Sequence, residues 1–150
     1  MERNAVLIEL SESPRTDFGK VDFEEQRPEQ RVFSAIWALE SEVNNGGFIQ
    51  YFSSHVGETA SVAPDALRAV GATRCADIVL RALQAVTPTA TLPATQAERS
   101  AMMDTLSGDA IAQLEALDVE FYAYPDNLTD LLFDFIAKHP LVFGQLQTDA

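Results

Sequence analysis

Two histidines, one cysteine and 23 carboxylates are the groups from which this 150-residue chain would have to build catalysis or metal binding. His55 and His139 stand more than eighty residues apart, and neither has the neighbours of a zinc-ligand spacing. Ser53 and Ser54 directly precede His55, whereas a nucleophile and its base are recognised by meeting in space. His55 reads as a loop residue and His139 as a helix C-terminal one. Cys75 lies in an apolar helical pattern and reads as a small core side chain. Glu40 and Glu42 are two apart on a helix, point away from each other, and do not form an acid–base pair. The chain has neither a phosphate-binding glycine loop nor an Asp-x-Asp-x-Asp-Gly calcium loop. The sequence therefore predicts no catalytic residue, no metal ligand and no cofactor.

Binding chemistry is the stronger signal. Ten basic residues against 23 acidic ones give a formal net charge of -13. From Ser100 to Ala150 the acids are Asp104, Asp109, Glu115, Asp118, Glu120, Asp126, Asp130, Asp134 and Asp149, against Lys138 alone. Such a surface repels nucleic acid, anionic lipid and phosphate-rich ligands and attracts basic proteins. Glu115, Asp118, Glu120, Asp126, Asp130 and Asp134 are the candidate partner-binding set. Asp126, Asp130 and Asp134 lie at i, i+4 and i+8, so one helix would hold their carboxylates about 6 Å apart along a face, near the spacing of successive phosphates. A structural account of the same three stands beside this one. Asp126 would cap the helix, Asp130 would favour its N-terminal dipole, and Asp134 would be a solvated charge. Acidity also keeps a protein soluble whatever its role.

The elements that must position these groups are helical throughout, and the expected fold class is all-α. The expectation is one domain over residues 1–150, with its core at about 28–143 and roughly 70% of the unfolded surface buried. Pro28 opens a helix with Val32, Ala35, Ile36, Leu39 and Val43 at helical spacing, widened by Phe33 and Trp37 into a core face. Pro64 suits a first helical turn, and Thr73 can cap the next helix, which buries Ala76, Val79, Leu80, Leu83 and Val86. Residues 87–96 read as a loop, and Thr95 with Glu98 as a capping box. Ile111, Leu114, Leu117 and Phe121 form another stripe. Asp126 or Asn127 starts a last helix, with Leu128, Leu131, Leu132, Phe135 and Ile136, ending before Pro140. Residues 5–8 fit a strand or a helical turn equally. No apolar run approaches the ~18 residues of a membrane span. With no leader-like apolar core and a single cysteine, a cytoplasmic location is expected.

"EVNNGGFIQYF", residues 42–52, interrupts this pattern. Asn45, Gly46 and Gly47 accept the left-handed backbone of a helix C-cap. Phe48, Tyr51 and Phe52 suit a second short helix, closed by Gly57, and would fold back as a cluster on Phe33 and Trp37, with Gln50 satisfying carbonyls at the turn. In the other reading Asn44, Asn45, Gln50 and Tyr51 are polar contacts in a pocket. The stretch "LESEVNNGGFIQYF" resembles the signature of the DNA mimic protein family. The resemblance extends through "QRVFSAIWALESEVNNGGFIQYF", "ALRAVGATRCADIVLRAL" and "LEALDVEFYAYPDNLTDLLFDFIAKHP", about residues 30–140. Where the family tends to run Asn-Ser-Ser-Gly after the aromatics, this chain has Ser54-His55-Val56-Gly57. The resemblance implies a compact helical domain. It also implies, from the family's characterised case, an acidic homodimer that occupies a transcription factor's DNA-binding surface. A globule of this length is about 38 Å across, and B-DNA of that length carries about 22 phosphates. The charge approaches duplex density only if it is gathered on one face. Two further readings stay open: a general interaction or immunity-type module, and an enzyme with a pocket at the NNGGF turn.

Overall fold

The glycine pair turns out to bend a helix that continues beyond it. The computed structural model describes residues 2–18 and 20–144; Asp149 of the acidic count lies outside them. Among the described residues there are eight α-helices, two short 3-10 turns and no strand. The helices are α1 (Arg3–Glu12), α2 (Pro28–Ser53), α3 (Ala63–Ala69), α4 (Thr73–Val86), α5 (Gln96–Asp104), α6 (Gly108–Tyr122), α7 (Leu128–Ala137) and α8 (Pro140–Phe143). The fold is all-α.

Helix α2 is the hub, packed by α3, α5, α6 and α8, while α4 bridges α3 and α6. Its stripe is buried at Phe33, Ala35, Ile36, Leu39 and Val43. Gly46 (φ -159°) and Gly47 (φ 80°) leave helical geometry, and helix resumes from Phe48 to Ser53. The left-handed residue expected at this glycine pair is therefore Gly47, and a second short helical segment follows it as expected, the two meeting at a kink. Two groups from α6 make the kink tenable. A straight helix would hand the Phe48 amide to the carbonyl four residues back. Here the amide donates to Asp118 Oδ1 at 2.9 Å, and the Tyr122 hydroxyl donates to the Val43 carbonyl at 2.9 Å. Freed backbone groups in a packed interior need such partners.

Because α2 runs on, its aromatics form two clusters in place of the single one expected. Phe33 meets Trp37, Phe18 and Phe143 in the first half. Phe48 meets Phe52 and Phe121 in the second. Trp37 stacks on Phe33 at 5.5 Å but is only partly buried, so it borders the core and is not enclosed by it. Tyr51 is fully buried and shares a 2.6 Å hydroxyl–hydroxyl bond with Thr59.

The end of α2 is held by a side chain the sequence pattern does not single out. Arg99 is 2% exposed, and its guanidinium donates to four carbonyls: Phe52, Ser54, Pro93 and Ala94, at 2.9–3.1 Å. A cation against helix C-terminal carbonyls is favourable, and the hydrogen bonds replace its lost hydration. Residues 5–8 prove helical; Val6, Leu7 and Leu10 of α1 are buried. Helix α1 docks on α7, which is why α7 buries Phe133 with Leu128, Leu132 and Ile136 while Leu131 and Phe135 stay partly exposed. Pro64 sits in the first turn of α3, and Thr95 accepts the Glu98 amide at 3.2 Å, both as expected. Thr73 does not cap α4; it is the first helical residue, after Ala72, which offers no side-chain cap.

A Cβ on Gly47 would stand 2.4 Å from Asp118 Oδ2 at a φ of 80°. Gly47→Ala should therefore lower unfolding free energy by about 2 kcal/mol or more, read by urea melts. Asp118→Ala alone should cost about 1–2 kcal/mol, the value of a helix cap. The double variant should cost less than the sum, because removing the carboxylate relieves the clash. Strict additivity would show that Asp118 and the kink are independent.

Candidate functional site

The six candidate acids divide into those holding the fold and those facing solvent. Asp118 is half-buried at the kink, where burial raises its pKa and the Phe48 amide partly offsets the rise. Asp126 is not in α7. Its Oδ2 accepts the Cys75 amide at 2.8 Å, so it supplies from outside the cap that α4 lacks. The expected i, i+4, i+8 stripe therefore loses its first member, and Asn127 takes the N-cap of α7 by accepting the Asp130 amide at 3.1 Å. Asp130 and Asp134 remain on one face, where Arg3 bonds both at 3.2 and 3.4 Å and lies 4.7 Å over the Phe133 ring. Glu120 forms a two-pronged pair with Arg81 at 2.9 and 3.0 Å, which holds its carboxyl below the usual range. Glu115 is exposed.

The motif residues also separate. Gly47, Phe48, Tyr51 and Phe52 are buried framework, and Asn45 and Gly46 are exposed. Gln50 donates to Glu42 Oε2 at 3.0 Å, not to carbonyls at the turn. Asn44 alone reaches a groove, and neither Gln50 nor Tyr51 lines it.

That groove, an open space of about 760 Å³, lies between α1, α2 and the α6–α7 corner. Its wall includes Trp37, Glu40, Asn44, Tyr124 and Asp130. Asn44 Nδ2 donates to the Tyr124 hydroxyl at 2.7 Å, and that hydroxyl lies 3.3 Å from Glu40 Oε1. Tyr124 holds φ 49°, a strained setting for a non-glycine residue just before Pro125. Its ring packs on Phe121 at 5.6 Å. Burial pushes the Glu40 carboxyl up to about 7, against a smaller opposing effect of the Tyr124 hydrogen bond. None of this was foreseen from sequence, which paired Glu40 only with Glu42. The available signal was the run of Tyr122, Tyr124 and Pro125, aromatic residues in a helix-ending segment. Among the described residues no group of three His, Cys, Asp or Glu side chains could hold a metal ion. His55 is exposed in a loop, and His139 packs against the Phe135 ring at 4.6 Å.

A family model described as DMP19-like protein matches residues 24–139. The chain belongs to the DMP19-like family. The match spans the α2 kink, the α6 groups that stabilise it and the whole acidic third up to His139; α1, which supplies Arg3, precedes it. No curated protein and no solved structure matches the chain significantly. No helix among the described residues is long and apolar enough to cross a membrane.

Folded Glu40 holds its proton more tightly than the unfolded chain does. Its contribution to stability is thus fully present below about pH 4.5 and is lost as pH rises through about 7. The ceiling is about 3 kcal/mol, and the residue's partial exposure reduces it to about 1–2 kcal/mol. Glu40→Gln should therefore gain stability over wild type by about that much between pH 5 and pH 8, in paired thermal melts. Parallel pH profiles for the two proteins would place Glu40 in ordinary solvent.

Proposed function

We propose that this member of the DMP19-like family is a non-enzymatic acidic binding protein that docks on a basic protein. In this reading the surface it occupies is the partner's DNA-binding face. The observation that carries the reading is the net charge of -13, with Lys138 the one lysine or arginine of residues 100–150. Opposite potentials steer such a pair together and weaken with salt, because screening acts over ~10 Å at 0.1 M. Membership of the DMP19-like family supports the same conclusion together with the signature at residues 39–52, which resembles that of the DNA mimic protein family.

One observation favours a broader reading as an interaction module. Val119 is 69% exposed on α6, and Tyr122 is 47% exposed three residues on. Apolar surface beside Glu115 suits a mixed protein interface better than an imitation of phosphates.

The test is displacement of a labelled duplex from a purified basic DNA-binding protein, recovered from the host by salt-eluted affinity capture. Wild-type protein should release the duplex, less so as salt rises. The variant Glu115→Gln, Asp130→Asn, Asp134→Asn spares the backbone caps made by Asp118 and Asp126. It should stay folded and lose affinity several-fold, mainly through slower association. A ternary complex of DNA, partner and this protein would sink the mimicry reading and leave the interaction module.

A further inference from the structure

The groove beside α2 combines features that the acidic surface as a whole does not. Trp37 and Tyr124 contribute aromatic wall, and Glu2, Glu40 and Asp130 contribute three carboxylates against the one guanidinium of Arg3. Arg3 is already committed to Asp130, Asp134 and the Phe133 ring. It shows what this surface holds well: a flat cation laid over an aromatic ring and bonded to carboxylates. Glu40 has acceptor capacity left, and burial disfavours its charge. Among the described residues it takes one long hydrogen bond, 3.3 Å from Tyr124, where a carboxylate has about four acceptor positions. Desolvated and under-bonded, it is a costly group to leave without a cation.

We infer that this groove is the anchor site for one arginine side chain of the basic partner, seated against Trp37 and Tyr124 and hydrogen-bonded to Glu40. The inference rests on the proposed function above and adds the contact that gives it a place. A guanidinium fits better than an ammonium, because it stacks on aromatic faces and bonds a carboxylate through two nitrogens. The space of about 760 Å³ takes the side chain together with part of the backbone that carries it. Asn44, held by Tyr124 at 2.7 Å, is positioned to fix the Tyr124 hydroxyl beside Glu40. An arriving cation also favours the charged form of Glu40, which burial alone disfavours.

Trp37 is the only tryptophan of the chain, so its fluorescence reports on this groove. Arginine amide, lysine amide and citrulline amide are titrated at constant ionic strength. Arginine amide should give a saturable change and lysine amide a weaker one. Citrulline amide, the same shape without charge, should give none. Glu40→Gln and, separately, Asp130→Asn should weaken arginine amide, the first roughly ten-fold. Asp109→Asn, which removes one charge elsewhere, should leave it unaltered. Circular dichroism confirms that each variant is folded, and either of the two groove variants suffices if the other is not. A linear response, an equal response to citrulline amide, or full binding by both groove variants overturns the inference. Calorimetry with octa-arginine separates the two levels of argument. Tight, salt-sensitive binding that is equal in wild type and Glu40→Gln leaves the acidic-binder reading standing without the groove. No binding of octa-arginine removes that reading as well.

Discussion

The Val43 carbonyl and the Phe48 amide, which flank the kink of α2 and each bond a side chain of α6, are the groups on which the rest of the molecule depends. An unpaired backbone group in a packed interior costs about 1–3 kcal/mol, so the kink persists only with partners in place. Helix α6 supplies both, through Asp118 and Tyr122, one turn apart on the same face. The hydrophobic contact of Phe121 with Phe48, at 6.0 Å, lies between them. Gly47 is the residue that makes the approach possible, because any side chain there would collide with the carboxylate it needs. Backbone conformation, polar satisfaction and core packing thus meet at a single crossing of two helices.

That crossing also sets where α6 ends, and with it the groove. Tyr122 is the last residue of α6, and two residues later Tyr124 takes its left-handed turn and reaches back to Glu40 and Asn44. The far end of α2 is treated differently. There Arg99 gathers four carbonyls from two segments, and Gly57 is pressed against the same guanidinium, with space for a Cβ only 2.7 Å from Nε. Both ends of the short second segment of α2 are therefore closed by charged side chains from distant helices. The N-terminal end takes an acid and the C-terminal end a base, as the helix dipole favours.

How much of this was legible in the sequence follows from how local each cause is. The fold class, the stripes of α2, α4 and α6, Pro64, the Thr95 cap and the glycine at positive φ all arise from residues a few positions apart. The kinked join between the two segments of α2 does not. It depends on Asp118, seventy residues on, which takes the Phe48 amide. Asp126 follows the same logic: four residues before Asp130 and beside a helix start, it reads as a cap for α7, and its true amide lies on α4. Helix α1 was ambiguous because its apolar run at residues 5–8 is unbroken and shows no period, and docking on α7 decides it.

These non-local uses change what an acidic composition means. Asp118 and Asp126 are spent on backbone amides, Glu120 on Arg81, and Asp130 and Asp134 on Arg3, so charge count overstates the surface free to meet a partner. Yet the exposed pairs are weak, each worth about 0–1 kcal/mol, and a partner's cations compete with them readily. The buried uses are not exchangeable in this way, because breaking them leaves an amide unsatisfied. A basic partner is thus offered Glu115, Asp130 and Asp134 at little cost, while Asp118 and Asp126 keep the helices that present them. Glu40 belongs to neither group. Among the described residues one long hydrogen bond holds it, it is kept half out of water, and that is where a cation would gain most from arriving.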